Sequence, residues 1–209
     1  MIGWPQSARL DRPMMRTSSV ILDLDGVIRH FDPDHRPGVE RRHGLPDGVL
    51  AATAWQPHLT QPAITGAMTR AEWIGAIGRE VGSVAAVEEW LGHRGHVDTA
   101  MVGLVAELRR NDVVVSVLTN GTDTVPDELT HHGLGDAFDH VFNSWSLRRA
   151  KLDPAVFVHV CDIVGVDPSA TFFTDDRQDN VDGARQAGLR AERFVGIERL
   201  RRQLEQLGL

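Results

Sequence analysis

Three short apolar runs, each breaking off at carboxylates or hydroxyls, restrict this chain more than any other feature. SVILDLDGVI begins at Ser19 and reaches Asp23 and Asp25. A second run, from Val113 to Leu118, is followed by Thr119, Asn120 and Gly121, and a third, from Thr171 to Phe173, by Thr174, Asp175 and Asp176. Runs of this length, apolar on consecutive positions, are expected where a strand is buried on both faces. Shorter strand candidates run from His140 to Phe142 and from Glu192 to Val195.

Helical patterns separate these strands. Val97, Met101, Leu104, Val105 and Leu108 recur at helical spacing. Asp153 followed by Pro154 predicts an N-cap and first turn, with the helix running to Val164 and closed by Gly165. Val181, Ala184 and Ala187 mark a further helix that ends at Gly188. The alternation implies an α/β fold, a Rossmann-like parallel sheet with helices on both faces. Residues 32–96 break the pattern. They contain no convincing strand, and Thr69-Arg70-Ala71-Glu72 reads as a capping box ahead of Trp73, Ile74, Ile77 and Val81. Ser83 is expected to cap a helix carrying Val84, Val87 and Leu91. We therefore divide the chain into an N-terminal extension (1–17), a core (18–31 and 97–209) and a helical insertion (32–96) placed directly after the first strand. Ligands of open α/β sheets bind beyond the carboxyl ends of the strands, where this insertion would lie as a lid.

A net charge of −7 argues against a nucleic-acid partner, and no stretch is long and apolar enough for a membrane helix. The N-terminus lacks the apolar core of a secretory signal. Cys161 is the sole cysteine and lies in the apolar run VFVHVCDIVG, so a buried inert thiol and a cytoplasmic location are expected. A homodimer is compatible with the sequence and not required by it.

A parallel sheet brings Asp23, Asp25, Thr119, Asn120, Asp175 and Asp176 to one edge, and Lys151 lies in the connection after the strand at His140. Carboxylates crowded in this way raise one another's pKa unless a cation neutralises them. A small set of oxygen ligands with room for water and phosphate suits Mg²⁺ better than Zn²⁺. Carboxylates also serve as nucleophiles in phosphoryl transfer. Taken singly, Asp-Gly is ordinary turn chemistry and Asp175-Asp176 could merely cap the next helix. Their joint order and placement outweigh that reading.

These residues resemble the haloacid dehalogenase (HAD) superfamily, whose four motifs stand at four strand ends. Asp23-Leu24-Asp25-Gly26-Val27 is similar to the first, Leu118-Thr119-Asn120 to the second, Lys151 within KLDPAVF to the third, and FFTDDRQDNVDGARQAG to the fourth. The likeness spans Ser19 to about Val195, with Leu152 departing from it where a proline often follows the lysine. The insertion looks like the helical cap of a subgroup that includes sugar-phosphate phosphatases, phosphomutases and 2-haloacid dehalogenases. Dehalogenases lack the second aspartate, so Asp25 favours phosphate chemistry. The fourth motif, with Asn180, looks most like small phosphatases acting on glucose 1-phosphate and related sugar phosphates.

The resemblance implies that Asp23 attacks phosphorus and forms an aspartyl-phosphate, and that Asp25 protonates the leaving alcohol and later activates water. It implies Mg²⁺ on the Asp23 carboxylate, the Asp25 carbonyl and Asp176, with Asp175 supporting. Thr119 and Asn120 would hold the phosphate and Lys151 would offset its charge. The expected partner is a small phosphorylated metabolite. A phosphomutase shares these motifs and differs by forming an isomer without releasing phosphate. A catalytically silent binding protein of the same fold would show no Mg²⁺-dependent turnover, and the complete set of motif residues speaks against it. His30, Phe31, His35 and Arg36 are candidates for the substrate pocket. Trp55, Trp73 and Trp90 are read as packing inside the insertion, and His93, His96, His131 and His132 as surface residues, because no partner ligands of a zinc site accompany them.

Overall fold

The computed structural model describes residues 17–209. The extension expected over 1–17 lies outside this range except for Thr17, which is buried and accepts a hydrogen bond from Arg190 at 2.8 Å. Among the described residues, five parallel strands form the central sheet. They are β1 (Ser19–Leu22), β4 (Val114–Thr119), β5 (His140–Asn143), β6 (Thr171–Asp175) and β7 (Arg190–Arg193), in the order β5-β4-β1-β6-β7. β1 pairs with both β4 and β6, so the chain's first strand is its most interior one, and the sheet grows outward from it in two directions. The expected α/β fold is the observed one.

The alternation of side chains along these strands builds two cores. Val20, Leu22, Val115, Val117 and Phe172 face one layer, where α6 (Thr99–Arg110) contributes Met101, Leu104, Val105 and Leu108. In the same layer α11 (Ile197–Gln206) contributes Leu200 and Leu204, and α7 (Val125–His131) contributes Val125 and Leu129. Ile21, Leu118 and Phe173 face the other layer, against α9 (Pro154–Val164) and α10 (Gln178–Gln186). Cys161 lies in this second core, where burial pushes its thiol pKa up, as expected for an inert cysteine. The α9 boundaries are those the sequence predicts. Asp153 accepts from the Ala155 N–H at 3.0 Å, Pro154 occupies the first turn, and Gly165 closes the helix at φ +77°.

Two strands differ from expectation by two residues, and β4 and β5 each by one. The last strand spans Arg190–Arg193 rather than Glu192 to Val195, because its register is set by β6, with Phe172 opposite Arg190 and Asp175 opposite Arg193. Only Ala191 is buried along it, so this edge strand carries no apolar run to mark it, whereas Val195 is 61% exposed. β6 runs through to Asp175, two residues beyond the expected end at Phe173.

Residues 32–96 fold into α1 (His35–Arg42), α2 (Val49–Ala54), α3 (Pro57–Ile64), α4 (Arg70–Val81) and α5 (Val84–Gly92). These helices share a third core built from Val39, Leu50, Leu59, Trp73, Ile77 and Val87. The excursion leaves and returns through a two-stranded antiparallel stem, β2 (Arg29–His30) with β3 (His96–Val97), which places its two ends side by side. Glu40 is buried inside it and accepts from the Gly48 and Leu50 N–H groups at 3.0 and 2.9 Å, closing the start of α2, whose own cap residue, Gly48, has no side chain. The capping box at α4 is present in both halves. Thr69 Oγ1 accepts from the Glu72 N–H at 3.3 Å, and Glu72 Oε2 accepts from the Thr69 N–H at 2.8 Å.

Replacing Thr69 by Ala removes this cap. We expect a loss of about 0.5–2 kcal/mol in urea unfolding, and near-complete recovery with Thr69→Ser, which keeps the hydroxyl. An unchanged midpoint in Thr69→Ala would show that α4 is held by packing alone.

Candidate active site

The turn after β1 is fixed by its own backbone. The Asp23 N–H donates to Thr174 O at 3.0 Å, carrying the β1–β6 pairing one residue past Leu22. The chain then folds over. Ile28 N and Arg29 N both donate to Leu24 O, at 2.9 and 2.8 Å, while Leu24 N donates to Asp23 Oδ1 at 2.7 Å. Gly26 sits in this turn at φ +86°, and a Cβ there would lie 2.5 Å from Asp176 Oδ2. Only glycine lets the first loop close against the loop that follows β6.

Three buried groups, Lys151, Asp23 and Asp175, meet there, with half-buried Asp176 beside them. Lys151, 1% exposed, places Nζ 2.6 Å from Asp23 Oδ1 and 2.6 Å from Asp175 Oδ2. Asp175 is fully buried, and its oxygens also accept from Arg177 N at 2.8 Å and from Asn180 Nδ2 at 3.0 Å. Carboxylate oxygens of Asp23, Asp175 and Asp176 lie within 4.8 Å of one another. Among the described residues this is the one grouping of His, Cys, Asp or Glu with the spacing of a metal site.

One ammonium cannot neutralise three carboxylates. Burial pushes the Asp23 carboxyl up to about 8, Lys151 pulls against that, and Asp175 adds to it. Burial and the neighbouring Asp175 also raise Asp176. Burial opposes charge on Lys151, but Asp23 and Asp175 outweigh it and hold the lysine above its ordinary value. The cluster thus keeps its lysine charged and lacks positive charge for its acids.

Asp25 belongs to a different network. Its two oxygens receive Arg29 Nε at 2.6 Å and Nη2 at 3.1 Å, and Arg29 Nη1 reaches Glu128 Oε2 at 2.7 Å. Arg29 is 5% exposed and lies over the Phe31 ring at 5.1 Å, while the Asp25 side chain is 41% exposed. Glu128 on α7 also meets Arg70 of α4 at 3.3 Å, which links the helical excursion to the core. Thr119 is buried at the end of β4. Asn120, the next residue, commits its Oδ1 to the Lys151 N–H at 2.9 Å and so anchors the lysine loop. Leu152 is exposed and leaves Lys151 in place. The sequence reading missed Arg29 and Glu128. An arginine inside the otherwise apolar Val27-Ile28-Arg29 stretch was the available signal, whereas Glu128 lies 99 positions from its partner and carried none.

A cavity of about 380 Å³ opens between this edge and the helical excursion. Asp25, Arg29 and Asn120 line its core side. Of the loop candidates, Phe31, His35 and Arg36 line it, while His30 faces His96, their rings 5.8 Å apart. Trp55, Trp73 and Trp90 also line the cavity. Reading them as packing holds for buried Trp73 and has to be corrected for Trp55, which is 57% exposed at the end of α2.

The Asp23 carboxyl, raised from an ordinary 3.8 to about 8, contributes stability that is fully present below pH ~4 and is lost as pH rises through about 8. Asp23→Asn carries no such proton. In chelator-treated protein, the melting temperature of the variant should therefore gain on the wild type steadily between pH 5 and 8, at about 2–4 °C per kcal/mol. A pH-independent difference would mean that Asp23 does not hold a buried proton.

Comparison with known proteins agrees with this arrangement. Residues 17–188 match the family model of haloacid dehalogenase-like hydrolases. The chain is 32% identical over 190 residues to a phosphatase of Mycobacterium tuberculosis, covering 85% of this chain and 87% of the relative. It is 27% identical over 175 residues to validoxylamine A 7'-phosphate phosphatase of Streptomyces hygroscopicus subsp. limoneus, covering 81% of each. A haloacid dehalogenase family enzyme of Bacteroides thetaiotaomicron, solved with magnesium and inorganic phosphate, shares the fold at a TM-score of 0.70 and 22% identity, covering 84% of this chain and 93% of that one. With the matched model spanning the strand ends at Asp23, Thr119 and Asp175 and the loop after α8 (Ser144–Leu147) that carries Lys151, the chain belongs to the haloacid dehalogenase-like hydrolase family.

Proposed function

We propose that this hydrolase is a Mg²⁺-dependent phosphatase that cleaves a small phosphomonoester through an aspartyl-phosphate on Asp23. The observation that carries the reading is the group of Asp23, Asp175 and Asp176 within 4.8 Å, with Lys151 as its only close ammonium. All-oxygen ligands in small number fit Mg²⁺, and the raised Asp23 and Asp176 carboxyls mark a place where added positive charge would be favoured. Asp23, Asp176 and the Asp25 carbonyl would hold the ion. Asp175 would support them, since its two oxygens are already taken by Lys151, Asn180 and the Arg177 N–H. Bound there, the ion supplies positive charge against which carboxylates and a phosphate dianion coexist.

The chain's own residues divide the remaining work. Asp23 attacks phosphorus as the ester bond to the alcohol breaks, and Asp25 gives the departing oxygen its proton. Asp25 then takes a proton from the water that attacks the phosphoryl group, releasing phosphate and restoring Asp23. Thr119 and Asn120, at the end of β4, hold phosphate oxygens, and Lys151 offsets their charge. Arg29 aims the Asp25 carboxylate through both of its oxygens. Residues 32–96 act as a cap over the cavity, excluding water and selecting the alcohol half of the substrate. The substrate is a small phosphorylated metabolite, and the single buried cysteine suits the cytoplasm.

Release of inorganic phosphate from a panel of phosphomonoesters should require Mg²⁺ and stop on chelation. Full activity after exhaustive chelation would remove the metal from the proposal. Asp23→Asn should abolish turnover of every ester. Asp25→Asn should lower turnover of an alkyl phosphate by about 10²–10⁴-fold, while a nitrophenyl ester, whose leaving group needs no proton, loses less in the first step and shows a phosphoenzyme burst by rapid quench. Equal loss of that step for both esters would make Asp25 structural.

A further inference from the structure

The wall of the cavity that the helical excursion provides is aromatic. Trp55 and Trp73 lie 5.8 Å apart between ring centroids, and Trp90 meets Trp55 edge-on at 6.3 Å. Trp55 is 57% exposed and Phe31 44% exposed, so two large rings present open faces to one cavity. A volume of about 380 Å³ is enough to enclose a ring-sized group.

The charged groups around this wall already have partners. Arg29 is held by Asp25 and Glu128, Arg70 by Glu128 and the Leu91 carbonyl, and Arg36 by Glu40. His35 Nε2 meets Glu89 O, and Asn120 Oδ1 accepts from Lys151 N. Sugars also stack on tryptophan, but their hydroxyls need free donors and acceptors at the rim to replace lost water. Here the charged groups that would serve them would have to be taken from existing ion pairs. An apolar ring makes no such demand and gains contact with the indole faces.

We infer that the alcohol half of the substrate carries an apolar ring, aromatic or alicyclic, packed against Trp55, Trp73 and Trp90. This rests on the phosphatase reading and narrows it, replacing the sugar phosphate that the sequence resemblance implies with a less hydroxylated ester.

Benzyl phosphate, cyclohexylmethyl phosphate and glucose 6-phosphate are all esters of a primary alcohol on a six-membered ring, and they differ chiefly in hydroxyl groups. With the intact chain and Mg²⁺, kcat/KM for the first two should exceed that for glucose 6-phosphate by about tenfold or more. In Trp55→Ala, whose site is exposed and tolerant of truncation, the ratio should fall by about tenfold, mainly through KM. Benzylphosphonate, which is not hydrolysed, should quench tryptophan fluorescence and bind more weakly to Trp55→Ala. Glucose 6-phosphate turned over as well as benzyl phosphate would overturn the ring proposal and leave the phosphatase reading intact. Binding of benzylphosphonate that depends on Trp55, with no ester hydrolysed, would overturn the phosphatase reading and leave the ring site standing. Neither hydrolysis nor binding would remove both.

Discussion

The ammonium of Lys151, buried between Asp23 and Asp175, is the interaction on which the rest of the site depends. Taking an ion out of water is costly, and a buried pair survives only where geometry and further hydrogen bonds compensate. Here the compensation comes from several elements at once. β1 and β6 are adjacent and supply the two carboxylates, while Asn180 of α10 and the Arg177 N–H occupy the remaining lone pairs of Asp175. Asn120, after β4, fixes the lysine's backbone at 2.9 Å. α10 must also pass close to that loop, and a Cβ at Gly183 would fall 2.8 Å from Lys151 O. The sheet order therefore does more than stack strands, since it brings groups from three strand ends and one connecting loop to a single charge.

The two aspartates of the first loop are two residues apart, yet they live in unlike surroundings. Asp23 is sealed, shares its lysine with Asp175 and has its carboxyl raised by burial. Asp25 is half-exposed at the cavity and gripped by Arg29. A pair of carboxylates separated by environment is the usual way one site divides nucleophilic from proton-transfer work. The turn between them, closed at Leu24 O and possible only with glycine at position 26, produces that separation.

The helical excursion has a core of its own and touches the rest of the chain through specific contacts. The stem of β2 and β3 returns the chain beside its point of departure, and Arg70 at the start of α4 meets Glu128, the residue that also holds Arg29. Movement of α4 relative to α7 would thus be felt at Asp25 through three salt bridges. The tryptophan wall belongs to the excursion and the charged wall to the core, so the two sides of the cavity can vary independently.

Local sequence alone determined the α/β class, the strands at Ser19, His140 and Thr171, the caps at Thr69, Ser83 and Asp153, and the identity of the polar residues at the strand ends. These are written in short-range patterns of apolar period, turn chemistry and capping side chains, which neighbouring residues enforce by themselves. The edge strand Arg190–Arg193 escaped because partner register, not its own hydrophobicity, makes it a strand. The amphipathic α11, with Leu200 and Leu204 four residues apart on its buried face, was legible in principle and overlooked. Tertiary structure alone decided that Lys151 bridges Asp23 and Asp175, that Asp25 turns to Arg29 and Glu128, and that three tryptophans from separate helices share one cavity. Each of these joins residues far apart in the chain, and a sequence specifies such meetings only through the packing of the whole, because the energy of a buried charge or an open ring depends on what surrounds it.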